Sequence, residues 1–190
     1  MTPLELYQRL HEASPERALE AAREAGAAHP SPVVVSACLV GVACRYDGAD
    51  KGLPQVHRLL QGQKALPLCP EVLAGLGVPR PPMVFEAADG AAALVGATRL
   101  LDAQGRDCTA DLARGARFAV RLAEAAGCER AVCKARSPSC GVHQVYTHAG
   151  LVPGCGMFTA ACRDAGIVVC SDEDSGWPGR PPEVERDPMA

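Results

Sequence analysis

The rhythm of apolar and polar positions changes several times along this chain. Four short runs are apolar at nearly every position: Val33 to Ser36, Ala65 to Leu68, Ala131 to Lys134 and Ile167 to Cys170. Runs of that length, rich in β-branched residues, fit strands covered on both faces. Between them the spacing turns helical. Leu112, Ala116, Phe118, Ala119, Leu122 and Ala126 form one apolar stripe, which predicts a long helix over 109–126 stopped by Gly127. Shorter helices are predicted over Leu53–Leu60, over Phe158–Ala165 before Gly166, and as a turn or helix at Leu73–Leu76. At the N-terminus Leu4, Leu6, Tyr7, Leu10 and His11 recur near helical spacing. A second helix, about Pro15–Ala25, starts after Ser14 as its N-cap. Its charged positions suit a solvated face, so residues 1–30 read as a helical surface extension without chemistry.

Strands that alternate with helices imply a parallel sheet with helices on both faces. The expected fold is therefore α/β: a single domain over 31–173, with a mostly parallel sheet flanked by helices, plus the N-terminal extension. Met83–Glu86 and Ala92–Leu101 are expected as a hairpin turning at Asp89-Gly90. Val142–Tyr146 reads as extended, and Gly150, Gly154 and Gly156 as a flexible loop. Prolines and charges make 174–190 a flexible tail.

The chain has 190 residues and is 48% hydrophobic, enough for one well-filled core. A net charge of -3 gives no electrostatic footprint for nucleic acid, so no nucleic-acid partner is expected. No run approaches the roughly 18 apolar residues of a membrane span. The acidic, helix-patterned N-terminus is unlike a signal peptide. A cytoplasmic location with no membrane partner follows as the expectation, and the oligomeric state stays open.

Ten cysteines without an export signal change the picture. In a reducing compartment, metal binding or catalysis gains weight over disulfides. Cys108, Cys128, Cys133, Cys162 and Cys170 sit among apolar neighbours and read as core filling. Cys155 lies between glycines and stays undecided. Cys38, Cys44, Cys69 and Cys140 differ, because each lies in a loop beside Gly or Pro. Ligands of open parallel sheets bind beyond the carboxyl ends of the strands. Cys38 follows the first strand, Cys69 ends the second and Cys140 follows the third, so three distant cysteines should converge on one sheet edge. Soft thiolates suit zinc, copper(I) or an iron–sulfur cluster. The spacing matches neither a zinc ribbon nor the compact ferredoxin run. A thiol redox site and plain structural cysteines remain alternatives, although a redox pair would want C-x-x-C at a helix start. A zinc hydrolase would draw on His143 and His148, which read as surface or pocket-edge residues.

Five motifs occur in order: Ser36-Ala37-Cys38-Leu39-Val40-Gly41, Cys44-Arg45-Tyr46-Asp47-Gly48, Cys69-Pro70-Glu71, Pro79-Arg80-Pro81 and Ser137-Pro138-Ser139-Cys140-Gly141. They resemble a small bacterial domain family of long-unknown function that includes thiouracil desulfidase. The resemblance spans about Val33 to Asp172. It implies a [4Fe-4S] enzyme that replaces the sulfur of a thiocarbonyl compound, such as 2-thiouracil, by oxygen without net redox change. Cys38, Cys69 and Cys140 would hold the cluster, and its fourth iron would take the substrate sulfur. Cys44 would be a ligand in place of one of these, or would line the pocket. Glu71 would take a proton from water, and Ser137 would bind substrate or relay a proton. Asp47 and Arg80 would brace loops. Lys134 and Arg136 would hold a negative substrate or balance the cluster. One departure is Ala135, where the family often has serine. The alternative of another class is a non-catalytic iron–sulfur or metal-binding module.

Overall fold

The structure, a computed structural model, describes residues 1–29, 31–54, 56 and 64–174. Its centre is a four-stranded parallel sheet. β1 (Val33–Ser36), β2 (Ala65–Leu68), β5 (Arg130–Cys133) and β8 (Val168–Ser171) lie in the order β2-β1-β5-β8. The register sets Ser36 beside Leu68, and Cys133 beside Ser171. The carboxyl ends of β2, β1 and β5 therefore finish side by side.

Both faces of this sheet are apolar, which is why the strands lack polar alternation. Val34, Leu66, Leu68, Ala131 and Cys133 point into the larger core. Helices α1 (Pro3–His11), α2 (Pro15–Ala27), α5 (Thr109–Ala125) and α6 (Met157–Asp164) supply the other side of that core. Val33, Val35 and Val132 face the opposite way. Among the described residues that face is covered by the 3-10 turn Ala37–Val40, by Val42, Leu53 and Val56, and by Tyr7 of α1. The helix expected over Leu53–Leu60 lies mostly outside the described residues, as does the tail from residue 175 on.

A second sheet stands beside the first. β3 (Met83–Phe85), β4 (Leu100–Asp102), β6 (Gln144–Thr147) and β7 (Gly150–Pro153) lie in the order β4-β3-β6-β7. Two sequence expectations are corrected here. Met83–Phe85 and Leu100–Asp102 do pair antiparallel. Asp89-Gly90 is not their turn, because Asp89 caps helix α4 (Gly90–Leu94) and its Oδ1 accepts from the Ala92 N–H at 3.2 Å. Aspartate favours turns and N-caps alike, and the alanines that follow it favour helix. The glycine-rich stretch is not one flexible loop. Gly150–Pro153 is a strand hydrogen-bonded antiparallel to β6. It buries little, so no apolar alternation marked it in the sequence.

The N-terminal helices are not a solvated appendage. Thr2 and Glu5 form a reciprocal cap on α1. Leu6 and Leu10 of α1 are buried in the main core, each contributing about 2 kcal/mol by area removed from water. α2 presents Ala18, Ala21, Ala22 and Ala25 to the same core. Small side chains let it come close: a Cβ on Gly26 would stand 2.2 Å from the carbonyl oxygen of Ala126, just past α5. The charged positions Glu16, Arg17, Glu20 and Arg23 are exposed as read, but the surface-extension reading fails, because the alanine stripe packs into the core and its low hydrophobicity hides that packing.

Gly26→Val is accordingly expected to force α2 off α5. Overpacking of about 1–3 kcal/mol corresponds to a loss of roughly 3–10 °C in thermal midpoint for a domain of this size. A loosely attached helix would leave the midpoint of a calorimetric scan unchanged.

Candidate functional site

At the carboxyl edge of the parallel sheet lies a cavity of about 480 Å³. Cys38, Cys44, Cys69 and Cys140 all line it and are all buried. Cys38 sits in the 3-10 turn directly after β1, and Cys69 is the N-cap of helix α3 (Pro70–Leu73) directly after β2. Cys140 sits in the loop after β5. The second sheet closes another wall with Met83, Val84 and Tyr146.

Cys44 stands between two of the other thiols. Its own thiol is pushed far up by hydrogen bonding with Cys38 and Cys69 and by burial. The Cys140 thiol is held below its ordinary value by hydrogen bonds from Cys133, Ser36 and Ser139, which outweigh its burial. Cys133 carries the opposite shift, raised by its bond with Cys140 and by complete burial. These shifts describe thiols packed against thiols.

The loop of Cys140 is fixed by α6. The N–H groups of Met157, Phe158 and Thr159 donate to the carbonyls of Pro138 and Ser139 at 2.9, 2.8 and 3.3 Å. These donors have no partner within their own helix, so the loop satisfies them and is held in return. Gly156 makes the approach possible, since a Cβ there would lie 2.3 Å from the Ser139 carbonyl oxygen. Arg136, in the same loop, adopts left-handed backbone with φ 55°, a sparsely populated conformation for a residue with a side chain.

A buried polar network joins the cysteine loops. Glu71 and Arg80 form an ion pair through Arg80 Nη2 and Nε, the latter at 2.7 Å from Oε2. Arg80 also donates to the carbonyls of Cys44 at 3.1 Å and Gly77 at 2.8 Å. Glu71 Oε1 accepts from Ser139 Oγ at 2.7 Å and from Ser137 Oγ at 3.3 Å. Ser137 Oγ in turn accepts from the N–H of Ser139 and of Cys140, both at 3.2 Å. Burial works against the charge of Arg80, but Glu71 and the thiols of Cys69 and Cys44 more than offset it, and the guanidinium is held above its ordinary value.

Cations surround the cavity. Lys134 and Arg136 line it together with Arg45. Burial, reinforced by Lys51, lowers the Lys134 ammonium from its ordinary value. Asp47 grips Arg45 through both carboxylate oxygens, at 3.1 and 2.7 Å, and accepts from the Ala49 N–H. Ala135 is buried, donates its N–H to Asp172 at 2.6 Å and is not among the lining residues. His143 pairs with Asp174 at an exposed position, and neither it nor His148 lines the cavity.

Sequence reasoning missed Ser139, the shorter of the two hydroxyl bonds to Glu71, because Ser137 and Ser139 are alike in the motif. It also missed His11. That side chain accepts the Cys69 N–H on Nε2 at 3.0 Å and bonds the Tyr7 carbonyl through Nδ1 at 2.8 Å. Burial drives its pKa down to about 4, against the pull of the Tyr7 carbonyl. The one available signal was Tyr7 and His11 at i, i+4 on the apolar face of α1.

Four buried thiols and the carboxylate of Glu71 thus meet at one edge of the parallel sheet in an α/β protein. Residues 33–174 match the 2-thiouracil desulfurase family, and the chain belongs to that family. The uncharacterized protein YbbK of Bacillus subtilis (strain 168) is 32% identical over 145 residues, which is 75% of this chain and 96% of YbbK. A solved structure of the [4Fe-4S]-dependent thiouracil desulfidase TudS is 37% identical, with a TM-score of 0.64 over 75% of this chain and 91% of that one. The family resemblance read from the five motifs and the α/β fold are thereby borne out. The matched segment begins at Val33, so α1 and α2 lie outside it.

Arg80→Met should leave Glu71 a buried carboxylate without its cation, at a cost of about 3–5 kcal/mol. Pairing it with Glu71→Gln should recover much of that loss. Denaturant midpoints of the metal-free variants measure the coupling, and additive losses would show that the two groups act independently.

Proposed function

We propose that this chain is a [4Fe-4S]-dependent desulfidase that converts C=S to C=O on a small molecule such as 2-thiouracil. The observation that carries the reading is the convergence of Cys38, Cys69 and Cys140, from the ends of three parallel strands, on one cavity beside buried Glu71. The donor set fits a cluster. Its atoms are soft thiolates, which favour iron–sulfur chemistry over hard cations. Among the described residues no group of three or more His, Cys, Asp and Glu side chains is arranged to hold a single metal ion. Lys134 offers positive charge at the cavity, while Arg45, Arg80 and Arg136 each already pair with a carboxylate. Cys44 is assigned to the wall, because four thiolate ligands would close the site to substrate.

Cys38, Cys69 and Cys140 would hold the cluster, which would supply a Lewis acid for soft sulfur. The protein's part is to bring water to the thiocarbonyl carbon and remove its proton. Glu71 is the group for that task. Arg80 occupies its Oε2, and Ser137 and Ser139 orient Oε1 toward the loop of Cys140. Ser137 is the relay or the hydrogen-bond donor to substrate. The balance is thiocarbonyl plus water giving carbonyl plus hydrogen sulfide, with no change of oxidation state. We further propose a cytoplasmic setting, where thiols stay reduced, and a small thio-compound as the partner. All ten cysteines are free, and no described helix is long and apolar enough to cross a membrane.

Anaerobic reconstitution should give a brown protein with about four irons per chain. Cys38→Ala, Cys69→Ala and Cys140→Ala should each lose the colour. A stoichiometric zinc content without iron would sink the proposal.

Glu71→Gln should keep the cluster and release sulfide from 2-thiouracil about 100-fold more slowly. If the loaded wild type releases no sulfide, the protein is a cluster-binding module instead.

A further inference from the structure

Helix α1 lies outside the family segment, yet it touches the backbone of a proposed cluster ligand. Cys69 is the N-cap of α3, followed by Pro70, Glu71 and Val72. A glutamate or glutamine at the third helical position would ordinarily reach back to the N-cap N–H. That position is Val72, which cannot. The acceptor comes instead from His11, 58 residues upstream. The Cys69 side chain makes no capping bond of its own; its thiol lines the cavity and donates to the Cys44 carbonyl at 3.8 Å.

His11 is held as firmly as it holds. Nε2 receives an N–H, so it carries no proton. Nδ1 faces the Tyr7 carbonyl, so it is the donor. The ring is therefore neutral, in one tautomer and one orientation. It stacks on Tyr7 with ring centroids 3.9 Å apart and an interplanar angle of 23°. Tyr7 is buried in the same cluster as Cys44 and Cys69. Leu6 and Leu10 anchor the same helix in the core. The Cys69 peptide is thus fixed on one side by β2 and on the other by α1.

We propose that His11 is a positioning residue for Cys69, and that α1 is part of the thiol site rather than an addition to the family domain. The proposal rests on Cys69 as a cluster ligand. Partners behind metal ligands commonly change metal retention by 10–100-fold, and a ligand backbone held in place sets the direction of its sulfur.

The test uses His11→Phe, which keeps the stacked ring and removes the acceptor, and His11→Gln, which offers an amide oxygen near Nε2. In metal-free protein, His11→Phe should speed hydrogen exchange at the Cys69 amide. In reconstituted protein it should shift the reduction potential and the electron paramagnetic resonance spectrum of the cluster, and speed its loss to a chelator about 10-fold. His11→Gln should restore most of each. A brace that is merely structural would lower the melting temperature and leave spectrum and potential unmoved, which would overturn the proposal. Should His11→Phe fail to fold, nitrogen-15 histidine spectra of the wild type decide, and a proton on Nε2 of His11 counts against the assignment. A wild type that takes no cluster overturns both this inference and the desulfidase reading. Cluster binding with unchanged variants overturns this inference alone.

Discussion

The ion pair between Glu71 and Arg80 is the contact on which the site depends. Arg80 comes from the proline-rich loop before β3 and reaches the carbonyl of Cys44, while Glu71 sits two residues after Cys69 and reaches the serines beside Cys140. One pair of charges thereby ties together the loops after β1, β2 and β5. As a source of stability such a pair is poor, since desolvating two charges costs about what their attraction returns. Its value lies in leaving few alternatives: once buried, each charge must find the other, and the loops must follow.

The parallel sheet supplies the frame for that pair. Register brings the strand ends level, and the loops leave in the same direction. The second sheet and α6 then confine what the loops can do. Gly156 admits the backbone of Ser139, and the first N–H groups of α6 bind the loop carbonyls. On the other flank α1 and α2 complete the core. The thiols are held by backbone fixed on every side, with little left to side-chain chance.

Much of this was legible in the sequence, for identifiable reasons. Val33, Val34 and Val35 mark a doubly covered strand because both faces need apolar cover. The cysteines stood out because each follows such a strand. The long helix was plain from Leu112, Ala116, Ala119 and Leu122. What escaped was signalled by weaker forces. β7 buries almost nothing. Asp89 serves a turn or a cap equally well. The alanines of α2 pack by fitting closely, and hydropathy does not register fit. His11 acts through a hydrogen bond to a residue far away in the chain, a partnership that no local pattern announces.

The segment that carries Cys38 and Cys44 has a second duty. Leu39, Val40 and Val42, interleaved with those cysteines, shield Val33, Val35 and Val132 from water. The rim of the cavity and the roof of one sheet face are the same stretch of chain. A change to this side of the rim therefore also changes the roof, whereas Tyr146, on the opposite rim, belongs to a different sheet and carries no such double duty.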